Sequence, residues 1–124
     1  MAGRFRRKEA APVRMSVSNQ RSGSLMTVAV SGEVDLSTGA DLENAITGAV
    51  HAEGVTEVLI DLSAVDFLDS SGIALLLRGR RAADARGVAY RVVDAHGITR
   101  QVLEITGVWA HLVGDPGHNQ PTTP

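Results

Sequence analysis

The run Val58-Leu59-Ile60-Asp61-Leu62 constrains the fold of this chain more than any other stretch. It is short, rich in β-branched residues and shows little alternation, as expected of a central strand covered by helices on one or both faces. Ser63 to Gly72 then reads as a loop feeding directly into a long apolar helix that ends before Gly87. A buried strand followed at once by a helix is the repeating unit of an α/β layer, and the flanking sequence supplies its neighbours. Upstream, Val13, Met15 and Val17 alternate with Arg14, Ser16 and Ser18, the period of a half-buried strand. Asn19 to Gly23 reads as a turn, and Leu25 to Ser31, apolar at Met26, Val28 and Val30, completes an antiparallel hairpin. Gly32-Glu33-Val34-Asp35 leads out of it. Thr38, with Asp41 three residues later, resembles a capping box, and Leu42, Ile46, Ala49 and Val50 recur at helical spacing, so a first helix is expected over 38–52. Downstream, a strand is expected over Val88 to Asp94, a third helix over Ile98 to Thr106 stopped by Gly107, and a last short strand over Val108 to Val113. The fold class is α/β: a mixed sheet of four to five strands with helices packed against it.

At 124 residues the chain has room for one domain, and 44% apolar content is enough for a core. Residues 1–12 lack periodicity and 114–124 gather Pro and Gly among polar residues, so both are expected to be disordered around a folded unit of residues 13–113. Four aromatic residues leave base-stacking nucleic-acid platforms poorly supplied. The absence of cysteine excludes disulfides, thiol nucleophiles and thiolate metal sites, and fits a reducing cytoplasm. No apolar stretch is long enough to span a membrane, and the basic start (Arg4, Arg6, Arg7, Lys8) runs into Glu9-Ala10-Ala11-Pro12 where an export signal needs a continuous apolar segment. That start carries four positive charges and no acid, leaving eight basic against fourteen acidic residues, a balance of −6, in the remainder. An acidic body repels phosphate backbones and suits a protein partner with a basic surface.

The segment with the most chemistry is Asp69-Ser70-Ser71-Gly72, at the entrance of the long helix. The unpaired N–H groups of a helix's first turn point at the side chains there, and a phosphoserine in this position would carry about −1.5 to −2 charges. One added group would then alter a docked surface without refolding the domain. Taken alone, the aspartate and serines are also what a simple helix cap looks like. On a helical wheel Gly72, Leu75, Leu76, Gly79, Ala82 and Ala83 form one face, small enough to lie close on a sheet. Ile73, Ala74, Leu77, Arg78 and Arg81 form the other, placing aliphatic anchors among arginines beside the serines, as on a docking surface.

The stretch from Ile60 to Leu76, centred on Asp69-Ser70-Ser71-Gly72, resembles the signature of the STAS domains, and among them the bacterial anti-sigma factor antagonists; Gly32-Glu33-Val34-Asp35 is similar to the motif after their second strand. The resemblance in spacing and element order runs from about residue 13 to 113. It implies a STAS-like sheet and a switch protein that binds an anti-sigma factor, a serine kinase of the histidine-kinase-like ATPase fold, and so releases a sigma factor for transcription. It implies phosphorylation of Ser70 as the off-switch, with Ser71 as the neighbouring hydroxyl and Asp69 and Asp35 as acidic positions of the partner-facing loops. The expected partner-binding set is Asp35, Asp69, Ser71, Gly72, Ile73, Leu77, Arg78 and Arg81. That family usually closes with a helix after the last strand, where this chain has a Pro-rich stretch.

Enzymatic readings find no support in the residues. Neither serine sits in a Gly-x-Ser-x-Gly frame with a His base, and the four histidines (His51, His96, His111, His118) lack metal-ligand spacing. There is no phosphate-binding glycine motif, so no nucleotide cofactor is implied. The chain is read as a non-enzymatic cytoplasmic regulator that touches no nucleic acid directly. The alternative is a STAS accessory subunit that docks to a membrane transporter.

Overall fold

The computed structural model of the chain describes residues 14–105. They form β1 (Met15–Ser22), β2 (Leu25–Val34), α1 (Gly39–His51), β3 (Glu57–Leu68), α2 (Ser70–Arg86), β4 (Ala89–Val93) and α3 (Gly97–Ile105). The four strands make one sheet in the order β1-β2-β3-β4. β1 and β2 pair antiparallel, whereas β2 to β3 and β3 to β4 pair in parallel, each parallel step crossing over through a helix. The expected terminal segments 1–12 and 114–124 and the expected strand 108–113 lie outside the described residues.

Burial alternates along the strands. Met26, Val28 and Val30, Val58, Ile60 and Leu62, and Tyr90 and Val92 form the buried face, while Leu59 and Asp61 between them are partly exposed. The apolar run of β3 therefore has one deeply buried side. Leu42, Ile46, Ala49 and Val50 of α1 and Leu75, Leu76 and Ala83 of α2 complete the core. α1 packs on α2 and on β1 and β2, α2 also on β4, and α3 on β3.

Three sequence expectations are corrected. Asn19 to Ser22 does not turn but continues β1, with Asn19 opposite Val28 and Ser22 opposite Leu25. Gly23, at φ +63, takes the first position of a two-residue turn, where a hairpin of the II′ kind requires glycine. Ser63 to Leu68 is strand, not loop: β2 runs on to Val34 and offers backbone for pairing as far as Val34 opposite Leu68. The register slips in this second half, and the Asp61 carboxylate there accepts the Ser63 N–H at 2.9 Å. Thr38 precedes α1 but makes no side-chain cap; its hydroxyl donates instead to the Glu33 carbonyl at 2.9 Å.

Two glycines allow close approach. A Cβ on Gly32, at φ +90, would stand 2.1 Å from the Arg14 carbonyl oxygen, which accepts the Glu33 N–H at 2.8 Å. A Cβ on Gly79 would meet the Tyr90 hydroxyl at 2.7 Å and Ile46 Cγ2 at 2.8 Å, so the bare backbone lets α1, α2 and β4 converge. At its far end α2 closes on Gly87, left-handed at φ 71, with Val88 N–H reaching the Ala83 carbonyl and Gly87 N–H the Asp84 carbonyl.

Candidate functional site

β2 and β3 end side by side, and the loops that leave them build the site. The Asp69 N–H still bonds to the Val34 carbonyl at 3.2 Å, which ties the start of α2 to the end of β2. From there the Asp69 side chain caps α2: its Oδ1 accepts the Ser71 N–H at 2.9 Å, the Gly72 N–H at 3.2 Å and the Ser71 hydroxyl at 2.6 Å. The two adjacent serines are thereby made unlike. Ser71 is half-buried with its hydroxyl engaged by Asp69, whereas Ser70 is exposed and its hydroxyl has no hydrogen-bond partner among the described residues. The aspartate and serines recognised in the sequence are thus both a cap and a differentiated pair of hydroxyls.

Across from them, the β2–α1 loop is fixed by Asp35. Its Oδ1 accepts the Ser37 hydroxyl at 2.8 Å and the Ser37 and Thr38 N–H groups at 3.0 and 3.2 Å. Its Oδ2 pairs with the Arg14 guanidinium, which also reaches Glu33 at 3.2 Å and the Ser37 hydroxyl at 2.8 Å. The Ser37 hydroxyl bond, with help from Arg14 and against some desolvation, holds the Asp35 carboxyl below its ordinary range. Glu33 and Asp35 in turn hold Arg14 firmly in its charged form.

Between this loop and the start of α2 lies a groove of about 280 Å³. One wall comes from Asp35, Leu36, Gly39, Ala40 and Glu43, the other from Ser71, Ala74, Leu75 and Arg78. Arg78 Nε meets Glu43 Oε2 at 3.4 Å, an ion pair joining α2 to α1 with both side chains half exposed. The groove brings together Asp35, Ser71 and Arg78 of the expected partner-binding set, with Asp69 directly beside Ser71. Gly72 and Ile73 do not belong on an open surface. A Cβ on Gly72 would meet Leu68 at 2.4 Å and Val34 at 2.8 Å, and Ile73, 7% exposed, is part of the core. Leu77 is half-buried against that core. The wheel placed Gly72 on the covered face, as found, but misplaced Ile73 and Leu77, because it supposes one narrow covered face whereas the first turn of α2 is wedged against the ends of both β2 and β3. Arg81 is exposed but does not line the groove. Sequence reasoning missed Leu36, Ala40 and Glu43; only their nearness to the Gly32-Glu33-Val34-Asp35 motif pointed to them.

Among the described residues no cluster of His, Asp or Glu has the arrangement to hold a metal ion, and no helix is long and apolar enough to cross a membrane. His96 hydrogen-bonds through Nε2 to the Ser63 carbonyl at 2.7 Å.

The model of the STAS domain family matches residues 16–116 of the chain. The chain belongs to the STAS domain family. It is 34% identical over 99 residues to the anti-sigma-F factor antagonist RsfB of Mycobacterium tuberculosis, covering 80% of each chain. Its fold matches the crystal structure of an anti-sigma factor antagonist from Mycobacterium paratuberculosis, with a TM-score of 0.70 and 34% identity over 82% of this chain and 86% of that one. It also shares the fold of the antagonist SpoIIAA in its unphosphorylated form, at a TM-score of 0.66 and 20% identity over 79% and 86% of the two chains. The Bacillus cell fate determinant SpoIIAA in its phosphorylated form matches at a TM-score of 0.58 and 21% identity, over 75% of this chain and 85% of that one. The STAS-like mixed sheet expected from the sequence is the observed fold, with four strands among the described residues.

Proposed function

We propose that this STAS domain is an anti-sigma factor antagonist controlled by phosphorylation of Ser70. With Ser70 unmodified, the groove end docks on an anti-sigma factor, a serine kinase of the histidine-kinase-like ATPase fold, and a sigma factor is released for transcription. Phosphorylation ends that contact. The chain is the kinase's substrate and needs no chemistry or cofactor of its own, and it acts in the cytoplasm, where a sigma factor works. The similarity to antagonists at 34% identity supports the partner class.

The observation that carries the switch is the difference between the two serines. A phosphoacceptor must leave its hydrogen bonds and enter another protein's active site. Ser70 is free to do so, while Ser71 is bonded to Asp69 at 2.6 Å. The N–H groups of Ser71 and Gly72 already serve the Asp69 carboxylate, so a phosphate on Ser70 would stand outward as an uncompensated charge instead of being absorbed by the helix end. Desolvating it under a partner costs roughly 1–3 kcal/mol, about 5- to 150-fold in affinity.

The test is incubation of the full chain with its cognate anti-sigma factor and ATP, followed by mass-spectrometric mapping of the phosphate. We expect it on Ser70; Ser70→Ala stays bound in the presence of ATP, and Ser70→Asp binds weakly without it. Phosphate on Ser71 moves the acceptor by one residue. No phosphate on either serine with a competent kinase overturns the switch and favours the accessory subunit of a membrane transporter.

A further inference from the structure

The end of the molecule that carries Ser70 also carries an apolar side chain that none of the described residues covers. Leu36 is 83% exposed, and the other large apolar side chain exposed among the described residues is Phe67, at 45%. An exposed leucine on a surface loop is ordinary in itself. The backbone on both sides of Leu36, however, is locked. Asp35 is held by Arg14 and accepts from Ser37 and Thr38, while the Thr38 hydroxyl donates to the Glu33 carbonyl at 2.9 Å and accepts the Asp35 N–H at 3.0 Å. A side chain displayed on a fixed turn loses little backbone entropy when it is captured, which is what an anchor residue needs. Leu36 also stands on the rim of the groove, continuous with the apolar surface of Ala40, Ala74 and Leu75.

The charge around it selects the partner. Glu33, Asp35, Asp66 and Asp69 lie at the paired ends of β2 and β3, where among the described residues Arg14 pairs with Glu33 and Asp35, and across the groove Glu43 and Arg78 offset each other. The apolar anchor therefore rises from an acidic surround.

We propose that Leu36 is the anchor by which this domain docks on its protein partner, and that the partner receives it in an apolar socket ringed by arginine or lysine side chains. The proposal rests on the docking role given above to the groove end. It adds to the Ser70 switch a separate affinity contact: Leu36 supplies the attachment, the basic ring supplies orientation and on-rate, and Ser70 decides whether the surfaces close. Phe67 does not line the groove and is no part of the anchor.

The experiment is calorimetric titration of the full chain against each purified anti-sigma factor encoded in its own genome, at about 50 and about 300 mM salt, which brackets strong and weak screening of surface charge. For the one that binds, Leu36→Ala is expected to lose roughly 10- to 100-fold in affinity and Leu36→Met less than about threefold, since thioether and isobutyl groups fill similar space. Phe67→Ala should change affinity by less than about threefold, and wild-type binding should weaken markedly at the higher salt. The melting temperature of Leu36→Ala should equal that of the wild type, because the side chain is exposed. Binding that is abolished by Ser70→Asp yet untouched by Leu36→Ala overturns the anchor and leaves the switch standing, as does a loss centred on Phe67. Salt-independent binding overturns the basic ring. Failure of every anti-sigma factor to bind the wild type overturns the docking role itself, and the anchor with it.

Discussion

At the residue scale the site depends on two aspartates that do the same job at opposite walls of one groove. Asp69 fastens the first turn of α2 and Asp35 fastens the β2–α1 turn, each by accepting backbone N–H groups and a serine hydroxyl on one oxygen. Asp69→Ala removes the cap and should lower stability by about 0.5–2 kcal/mol, measurable by thermal or denaturant unfolding. For Asp35 the consequence is a pH dependence. Its carboxyl titrates below 3.8 in the folded chain, so the contacts around it add stability at pH above that value and lose it as pH falls through the lowered folded midpoint. Removing the largest contributor in Ser37→Ala should raise the Asp35 midpoint toward 3.8, followed by NMR titration of the carboxyl resonance. An unmoved midpoint would assign the depression to Arg14 instead.

At the scale of the element, α2 is the part of the chain whose two sides have to be kept apart. Its buried side includes Ile73 and, in part, Leu77 as well as the small residues, and its open side narrows to Ala74 and Arg78 along the groove and Arg81 beyond it. A second close approach is at Gly79, under which the Tyr90 hydroxyl donates to the Leu76 carbonyl at 2.9 Å; burial there pushes the Tyr90 phenol well above its ordinary range. Gly79→Ala gains helix propensity but forces a methyl against Tyr90 and Ile46, and overpacking of this kind costs about 1–3 kcal/mol. The melting temperature should fall despite the better helix former. Leu77→Asp should also lower it, because that side chain packs against the core, whereas Arg81→Glu should leave it unchanged. A pair of equal melts for Leu77→Asp and the wild type would return Leu77 to the open surface.

At the scale of the whole molecule, a single core is built from contacts distant in sequence: β2 lies between β1 and β3, and α1 packs on α2 across both crossovers. No half of the described chain can bury its apolar face without the other, so unfolding should be one cooperative event. Helix content by far-ultraviolet circular dichroism and the near-ultraviolet signal of the chain's aromatic residues, one tyrosine and one tryptophan among them, should trace the same denaturant midpoint. Separate midpoints would divide the core. Phosphate on Ser70 should leave that midpoint nearly unchanged, since the exposed hydroxyl makes no hydrogen bond among the described residues.

The sequence by itself determined the element types and their order, because β-branched runs, helical spacing and glycine stops are local signals that tertiary contacts here reinforce. It determined the hairpin, the α1 core face of Leu42, Ile46, Ala49 and Val50, and the place of Asp69 at a helix entrance. Where β1 and β3 stop was decided only by pairing: Asn19 to Ser22 and Ser63 to Leu68 carry turn-like composition, yet the long β2 offers each a backbone ladder. The tertiary structure alone also decided which apolar residues of α2 are covered, since Ile73 is buried in the core although a helical wheel puts it on the open side. Ser70 and Ser71 are equivalent as letters. They differ because Asp69 bends back to one hydroxyl and leaves the other in solvent, and Leu36 stands at that same end because a long-range contact from Arg14 fixes the turn beneath it.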